Sequence, residues 1–287
     1  MSGMKLGALS RPMSPLTYAD PAAPAWERAL VNLIELMSGR AALVRLYEHW
    51  RAQWSLSGLS LWSSALYWLG VSLETEGEPW PPAVARQERL VIIANHPFGL
   101  LDGIAICALA EKLDRPFKIL AHRQLVRVPE AIPYFLPIDF DEGDEAVRNN
   151  IEARRRALDA LAAGETIVIF PAGGVSTAPL RFPLKRFARA DDLRWKNFAY
   201  RLIRSAGATV LPLYFVGQNG ALFHAASKVS IAWRVALLVG ELNKRRGKPL
   251  QVRVGRPIPW AETASWASPS LAMRELRRRV YALGNHR

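Results

Sequence analysis

Apolar positions recur every three or four residues from Ala25 to Arg51, at Leu30, Leu33, Ile34, Met37, Leu43, Leu46 and Tyr47. That spacing predicts helix, and Gly39 divides it into two. Trp54–Leu73 follows as twenty residues without a formal charge, long enough to span a bilayer. Six serines and two glycines interrupt it, and its large residues at 59, 62, 66, 69 and 73 form a single stripe. The pattern predicts an amphipathic helix lying in a membrane interface, with basic residues just before it. A stripe packed on the protein's own core, or a true span, are the alternatives.

Glu74–Gln87 is polar and proline-rich, and it reads as a connection with a short edge strand around Ser72–Thr75. Beyond it, short apolar runs alternate with helical patterns. Strands are predicted at Leu90–Ala94, Pro116–Ala121, Leu136–Phe140, Thr166–Phe170, Thr209–Val216 and Gln251–Val254. Helices are predicted at Leu101–Leu113, about Glu145–Ala163, Lys196–Ala206, Val229–Arg246 and Leu271–Leu283. The fold class expected is α/β, a mixed, largely parallel sheet flanked by helices, with an N-terminal amphipathic helical membrane-contact region. The expected organisation is a flexible lead over 1–24, a helical membrane-associating region over 25–75 and a main domain over 76–287. Pro212 lies within one apolar run and argues for an edge or a specially shaped strand end.

Three strand ends carry unusual chemistry. The run Val91–Ala94 stops at Asn95-His96-Pro97, and Asp102 opens the next apolar run. A buried strand would deliver His96 to its C-terminal end, where α/β folds place ligands. A histidine and aspartate without serine or cysteine suggest a general base whose nucleophile arrives with the substrate. A loop histidine capping a helix is the other reading. The second end is Ile119–Leu125, running to Pro129. The third is Phe170-Pro171-Ala172-Gly173-Gly174-Val175-Ser176, a turn whose amides would suit an anion or oxyanion.

Charge narrows the partners. The formal net charge is +13, which calls for an anionic surface or ligand. Six of the ten tryptophans lie within the first 80 residues, and tryptophan favours membrane interfaces. An anionic membrane is therefore expected and nucleic acid is not. The single Cys107 reads as a small core residue, and no CxxC or HExxH pattern points to a metal. Residues 1–24 lack a signal-peptide apolar region, so the chain is expected at the cytoplasmic face of the cell membrane, peripheral or monotopic.

Taken in order, Asn95-His96 with Asp102, His122 to Pro129, Phe170 to Ser176 and Leu211-Pro212 resemble the sequence blocks of the PlsC-like glycerolipid and lysophospholipid acyltransferases. The resemblance covers about Leu90–Gly217. More closely, Asn95-His96-Pro97 with Asp102-Gly103 and Phe170-Pro171-Ala172-Gly173 is similar to a branch labelled as hemolysins, which includes acyltransferases directed at lyso-ornithine lipids. The resemblance implies a membrane-associated enzyme moving a fatty acyl group from acyl-carrier protein or coenzyme A to a lyso-lipid hydroxyl. It implies His96 as general base, Asp102 orienting it, and no cofactor beyond the acyl thioester co-substrate. Substrate contacts are expected from Asn95, Arg123, Phe170, Pro171, Gly173 and Gly174. A non-catalytic, lytic membrane protein is the alternative. Two departures stand out: five residues rather than four separate His96 from Asp102, with Gly99 expected to absorb the extra one, and the family's Glu-Gly-Thr-Arg block is Ala172-Gly173-Gly174-Val175. The resemblance gives the lost arginine a contact with the acceptor's phosphate, a charge that Arg181, Lys185 or Arg186 would have to supply here.

Overall fold

The computed structural model describes Thr17 and residues 23–86, 88–122, 128–138, 143–179 and 188–285. Three helices come first: α1 (Ala25–Met37), α2 (Arg40–Gln53) and α3 (Leu61–Leu69). Next are β1 (Leu73–Gly77), β2 (Leu90–Ala94), α4 (Leu100–Glu111), β3 (Phe117–His122) and β4 (Phe135–Ile138). They are followed by α5 (Asp144–Ala162), β5 (Thr166–Ile169), α6 (Asn197–Ala206), β6 (Thr209–Phe215) and α7 (Ala221–Ala226). The chain closes with α8 (Ile231–Arg245), β7 (Leu250–Val254), α9 (Trp260–Ala264) and α10 (Pro269–Leu283).

The seven strands lie in the order β1-β7-β6-β2-β5-β3-β4. Every neighbouring pair is parallel except β6 with β7. This is the mixed, largely parallel sheet expected. Central β2 is buried along its whole length, because parallel strands between helical layers need apolar side chains on both faces. Leu90, Ile92 and Ala94 join the core beneath α2, α3 and α4. Val91 and Ile93 join the opposite core, against α5, α6 and α10.

The tertiary structure corrects four readings. The stripe within Trp54–Leu73 covers the protein's own core: Trp62, Leu66 and Leu69 are buried against α4, in a helix of only nine residues. Glu111 of α4 fixes the start of that helix, accepting from the Trp62 and Ser63 amides at 3.0 Å each. The N-terminal tryptophans follow the same logic, since Trp50 and Trp62 are buried and Trp54, Trp68 and Trp80 pack on that core. Only Trp26 of the six is largely exposed, at 68%. The boundary expected at residue 75 falls inside β1, which pairs with β7 at the edge of the same sheet. Pro212 is at neither an edge nor a strand end: β6 has β2 on one side and β7 on the other. Its missing N–H is tolerated because the β7 side carries a bulge there. Gly255 N–H donates to Pro212 O, and pairing resumes one residue out of step at Val210 and Ile258. Finally, α7 and α9 arise where no helix was expected, and both are too short to show a helical period.

Among the described residues, no helix is long and apolar enough to cross a membrane. Exposed apolar side chains are scattered over several elements, and four of them, Trp26, Leu33, Leu36 and Met37, share one face of α1. The opposite side of α1 docks on α8 through Val31 and Ala236.

Candidate active site

β2 ends at the C-terminal edge of the parallel strands, and the chain there turns sharply into α4. Asn95 is spent on this junction. Its carboxamide donates to Phe215 O at 3.0 Å and accepts from Phe215 N–H at 2.7 Å. Asn95 therefore extends the pairing of β2 with β6 by one side chain and is buried away from the cavity described below. The turn passes through Gly99, whose φ of +79° no ordinary side chain adopts cheaply. A Cβ there would also stand 2.9 Å from Leu238 and 3.1 Å from Val175.

The turn brings His96 and Asp102 together. His96 Nδ1 lies 3.0 Å from Asp102 Oδ1, and the Asp102 carboxylate is fully buried in the first turn of α4. Its other oxygen accepts from Phe98 N–H at 2.9 Å, a reach-back of the capping-box kind that also favours the charge near a helix start. The His96–Asp102 contact is close but not linear, so neither atom makes a well-aligned hydrogen bond. Such bonds commonly straighten when substrate binds. With Nδ1 turned to Asp102, Nε2 makes no hydrogen bond among the described residues. The imidazole stacks on Phe170 with centroids 4.0 Å apart, which fixes the ring plane.

A second carboxylate steadies the same loop. Asp192 Oδ1 accepts from the His96 backbone N–H at 3.2 Å and from Ser176 Oγ at 2.5 Å, and Oδ2 accepts from Trp195 Nε1 at 2.8 Å. Ser176 N–H in turn donates to His96 O at 2.8 Å. Burial pushes the Asp192 carboxyl above its ordinary range, while the Ser176, Trp195 and His96 donors pull it back. Asp192→Asn would set an amide N–H against at least one of these donors. It is expected to cost about 1–3 kcal/mol of stability and to lower turnover, as thermal denaturation and initial rates would show. Sequence reasoning missed this residue because it sits in an irregular stretch; the Asp192-x-x-Trp195 spacing was the only available sign.

In front of the pair lies a cavity of about 320 Å³, within the ~300–1,000 Å³ range of small-molecule sites. His96, Phe170, Gly173 and Val175 stand at one part of its wall. Gly99, Gly103, Ile104 and Cys107 of the α4 segment line its flank, and Leu43, Trp50 and Trp62 of α2 and α3 line the far part. Nearly all of this wall is apolar, so its natural content is hydrocarbon. α2 and α3, from the region expected to contact a membrane, thus build part of the cavity wall. Tyr47 and Glu130, also in the wall, are joined by a 2.8 Å hydrogen bond. That bond and burial raise the Tyr47 hydroxyl to about 12, with burial the larger cause.

The remaining expected contacts divide. Pro171 and Gly174 shape the turn after β5 but do not line the cavity. Arg123, Arg181, Lys185 and Arg186 lie outside the described residues, as do Asp139 and Phe140. Among basic residues elsewhere, Arg189 bonds Tyr214 Oη, Lys244 pairs with Glu241, and Arg245 stacks on Phe98.

Residues 76–216 match the Acyltransferase family profile. The chain is 26% identical over 236 residues to a lyso-glycine lipid O-acyltransferase of Bacteroides thetaiotaomicron, spanning 79% of this chain and 80% of that protein. It is 23% identical over 202 residues to a lyso-glycine lipid O-acyltransferase of Phocaeicola vulgatus, spanning 68% of each. Among solved structures, the 1-acyl-sn-glycerophosphate acyltransferase PlsC of Thermotoga maritima is similar at 18% identity, with a TM-score of 0.49 over 91% of this chain and 99% of that one. The matched segment carries β2, the histidine turn and the turn after β5, and together these likenesses support a PlsC-like lysolipid acyltransferase family for the chain.

Proposed function

We propose that this acyltransferase moves a fatty acyl group from an acyl thioester, carried by acyl-carrier protein or coenzyme A, to the hydroxyl of a lyso-lipid. The observation that supports it best is the imidazole of His96, backed by buried Asp102, in the wall of an apolar cavity. His96 Nε2 takes the hydroxyl proton as the oxygen attacks the thioester carbonyl, and the thiolate leaves with the proton returned. Asp102 orients the ring and stabilises its charged form, as in other His–Asp pairs. The acyl chain lies in the cavity, its tail towards Trp50 and Trp62. The acceptor is a lyso-lipid with an amino-acid headgroup, the class to which the lyso-glycine lipid named for both relatives belongs. Lyso-ornithine lipid is of the same class.

A lipid acceptor places the reaction at a bilayer. The net charge of +13 favours an anionic surface, each basic residue near it contributing about 1 kcal/mol. The exposed stripe Trp26, Leu33 and Met37 of α1 provides an apolar face to insert. Trp26→Glu together with Leu33→Glu is therefore expected to shift the protein from pellet to supernatant when it is sedimented with anionic liposomes, without lowering its melting temperature. Unchanged co-sedimentation would remove α1 from the membrane contact.

The test of the reaction offers the purified protein one acyl thioester and separate lyso-lipids: lyso-glycine, lyso-ornithine, lysophosphatidic acid and lysophosphatidylglycerol. Mass spectrometry of the lipids should show acylated product with at least one amino-acid acceptor. Product from none of the four, with a folded protein, would overturn the reading.

A further inference from the structure

Arg234 stands on the face of α8 that meets the histidine turn, one helical turn before Leu238, which abuts Gly99. Its guanidinium reaches the turn after β5. Nη2 donates to Val175 O at 2.5 Å and lies 3.8 Å from where a Cβ on Gly174 would stand. Gly173 and Val175 on either side line the cavity. Val175 directly precedes Ser176, whose amide holds the His96 carbonyl at 2.8 Å. Phe223 shields one face of the guanidinium, 5.5 Å from its ring centroid. The group is thus one residue removed from the backbone of the general base.

Arg234, like Arg189 and Arg245, makes no ion pair among the described residues. Arg40, Arg51, Arg277 and Arg279 each contact a carboxylate. Among the described residues no carboxylate lies within ion-pair distance of Arg234, and Val175 O takes one of its five N–H donors. Burial pulls its pKa down with no opposing charge to restore it. A partly buried cation left uncompensated is costly; Arg234 stands behind the Gly173–Val175 stretch of the wall rather than in it, and an anion that reached it there would lift that cost. Guanidinium geometry suits a two-oxygen partner.

We propose that Arg234 binds the anionic headgroup of the acceptor, a carboxylate or a phosphate, and so selects charged over neutral lyso-lipids. This rests on the acyl-transfer reading for its acceptor but not for its binding site. Ala172-Gly173-Gly174-Val175 carries no charge of its own, and Arg234 brings one to that turn from α8. An amide-linked amino-acid lipid keeps one free carboxylate, which a single guanidinium can pair bidentately.

The test measures equilibrium binding to full-length protein below the critical micelle concentration. The ligands are an N-acylglycine, its methyl ester and an alkyl phosphate of matched chain length. Wild-type protein should bind an anionic ligand about tenfold or more tighter than the ester, the range of one charge-assisted contact. Arg234→Gln should bring that ligand to the level of the ester, and Arg234→Lys should recover part of the difference. Whether the carboxylate or the phosphate shows the loss identifies the headgroup. A preference that survives Arg234→Gln overturns the proposal. So does equal weakening of all three ligands, which would mark Arg234 as a support for the Val175 turn. Turnover assayed in parallel reports separately on acyl transfer: headgroup-dependent binding without product would sink that reading and leave the anion site standing.

Discussion

Replacing His96 by alanine is expected to lower acyl transfer by about 10²- to 10⁴-fold, the usual contribution of a positioned general base. The protein should still fold. Asp102 keeps its bond from Phe98 N–H and its place at the start of α4, and the His96 backbone keeps its bonds to Asp192 and Ser176. The loss should fall on turnover, with donor binding little changed, because the imidazole contacts the reacting hydroxyl rather than the acyl chain. Asp102→Asn should lower turnover less, since an amide oxygen can still accept from the ring while the charge is gone. Steady-state rates with thermal melting of each variant separate these effects. A His96→Ala protein within tenfold of wild type would remove His96 from the chemistry.

Gly103→Phe is expected to abolish use of long-chain donors while sparing short ones. Gly103 lies on the cavity side of α4, and a Cβ added there would meet open space. A phenyl ring would occupy volume assigned to the acyl chain. Excluding about four methylenes forfeits roughly 3 kcal/mol at ~0.8 kcal/mol each, or about a hundredfold in specificity constant. The helix should tolerate the change, because glycine in a helix interior is itself unfavourable by about 0.5–1 kcal/mol relative to alanine. Gly103→Ala should keep activity and melt slightly higher. Rates with a short-chain and a long-chain acyl thioester provide the comparison. Equal loss on both would mean that the chain does not run past α4.

The approach of His96 to Asp102 was legible in the sequence because it sits where local pattern and tertiary structure agree. A five-residue apolar run ending in Asn95-His96-Pro97 fits only a buried strand, and Gly99 marks the place where the turn needs a positive φ. The sheet's largely parallel character followed from strands apolar on both faces. The use made of Trp54–Leu73 was not legible. An uncharged stripe of Trp62, Leu66 and Leu69 has the same spacing whether it covers lipid, a hydrocarbon-filled cavity or the protein's own helix, and only the position of α4 decides. Asp192 was hidden for a similar reason. Its partner His96 is 96 residues earlier, and irregular segments have no periodicity to report their contacts. Pro212 misled because a proline signals a missing ladder bond, and the bulge opposite it belongs to another strand.

The chemistry is tested most directly by free-thiol release from an acyl thioester, followed with and without a lyso-lipid acceptor. The expected result is release that depends on acceptor and matches acylated lipid mole for mole, with no acyl group retained on the protein and almost none of this rate in His96→Ala. Thiol release that proceeds equally without acceptor, or that survives the His96 substitution, would contradict a histidine-based transfer to a lipid hydroxyl.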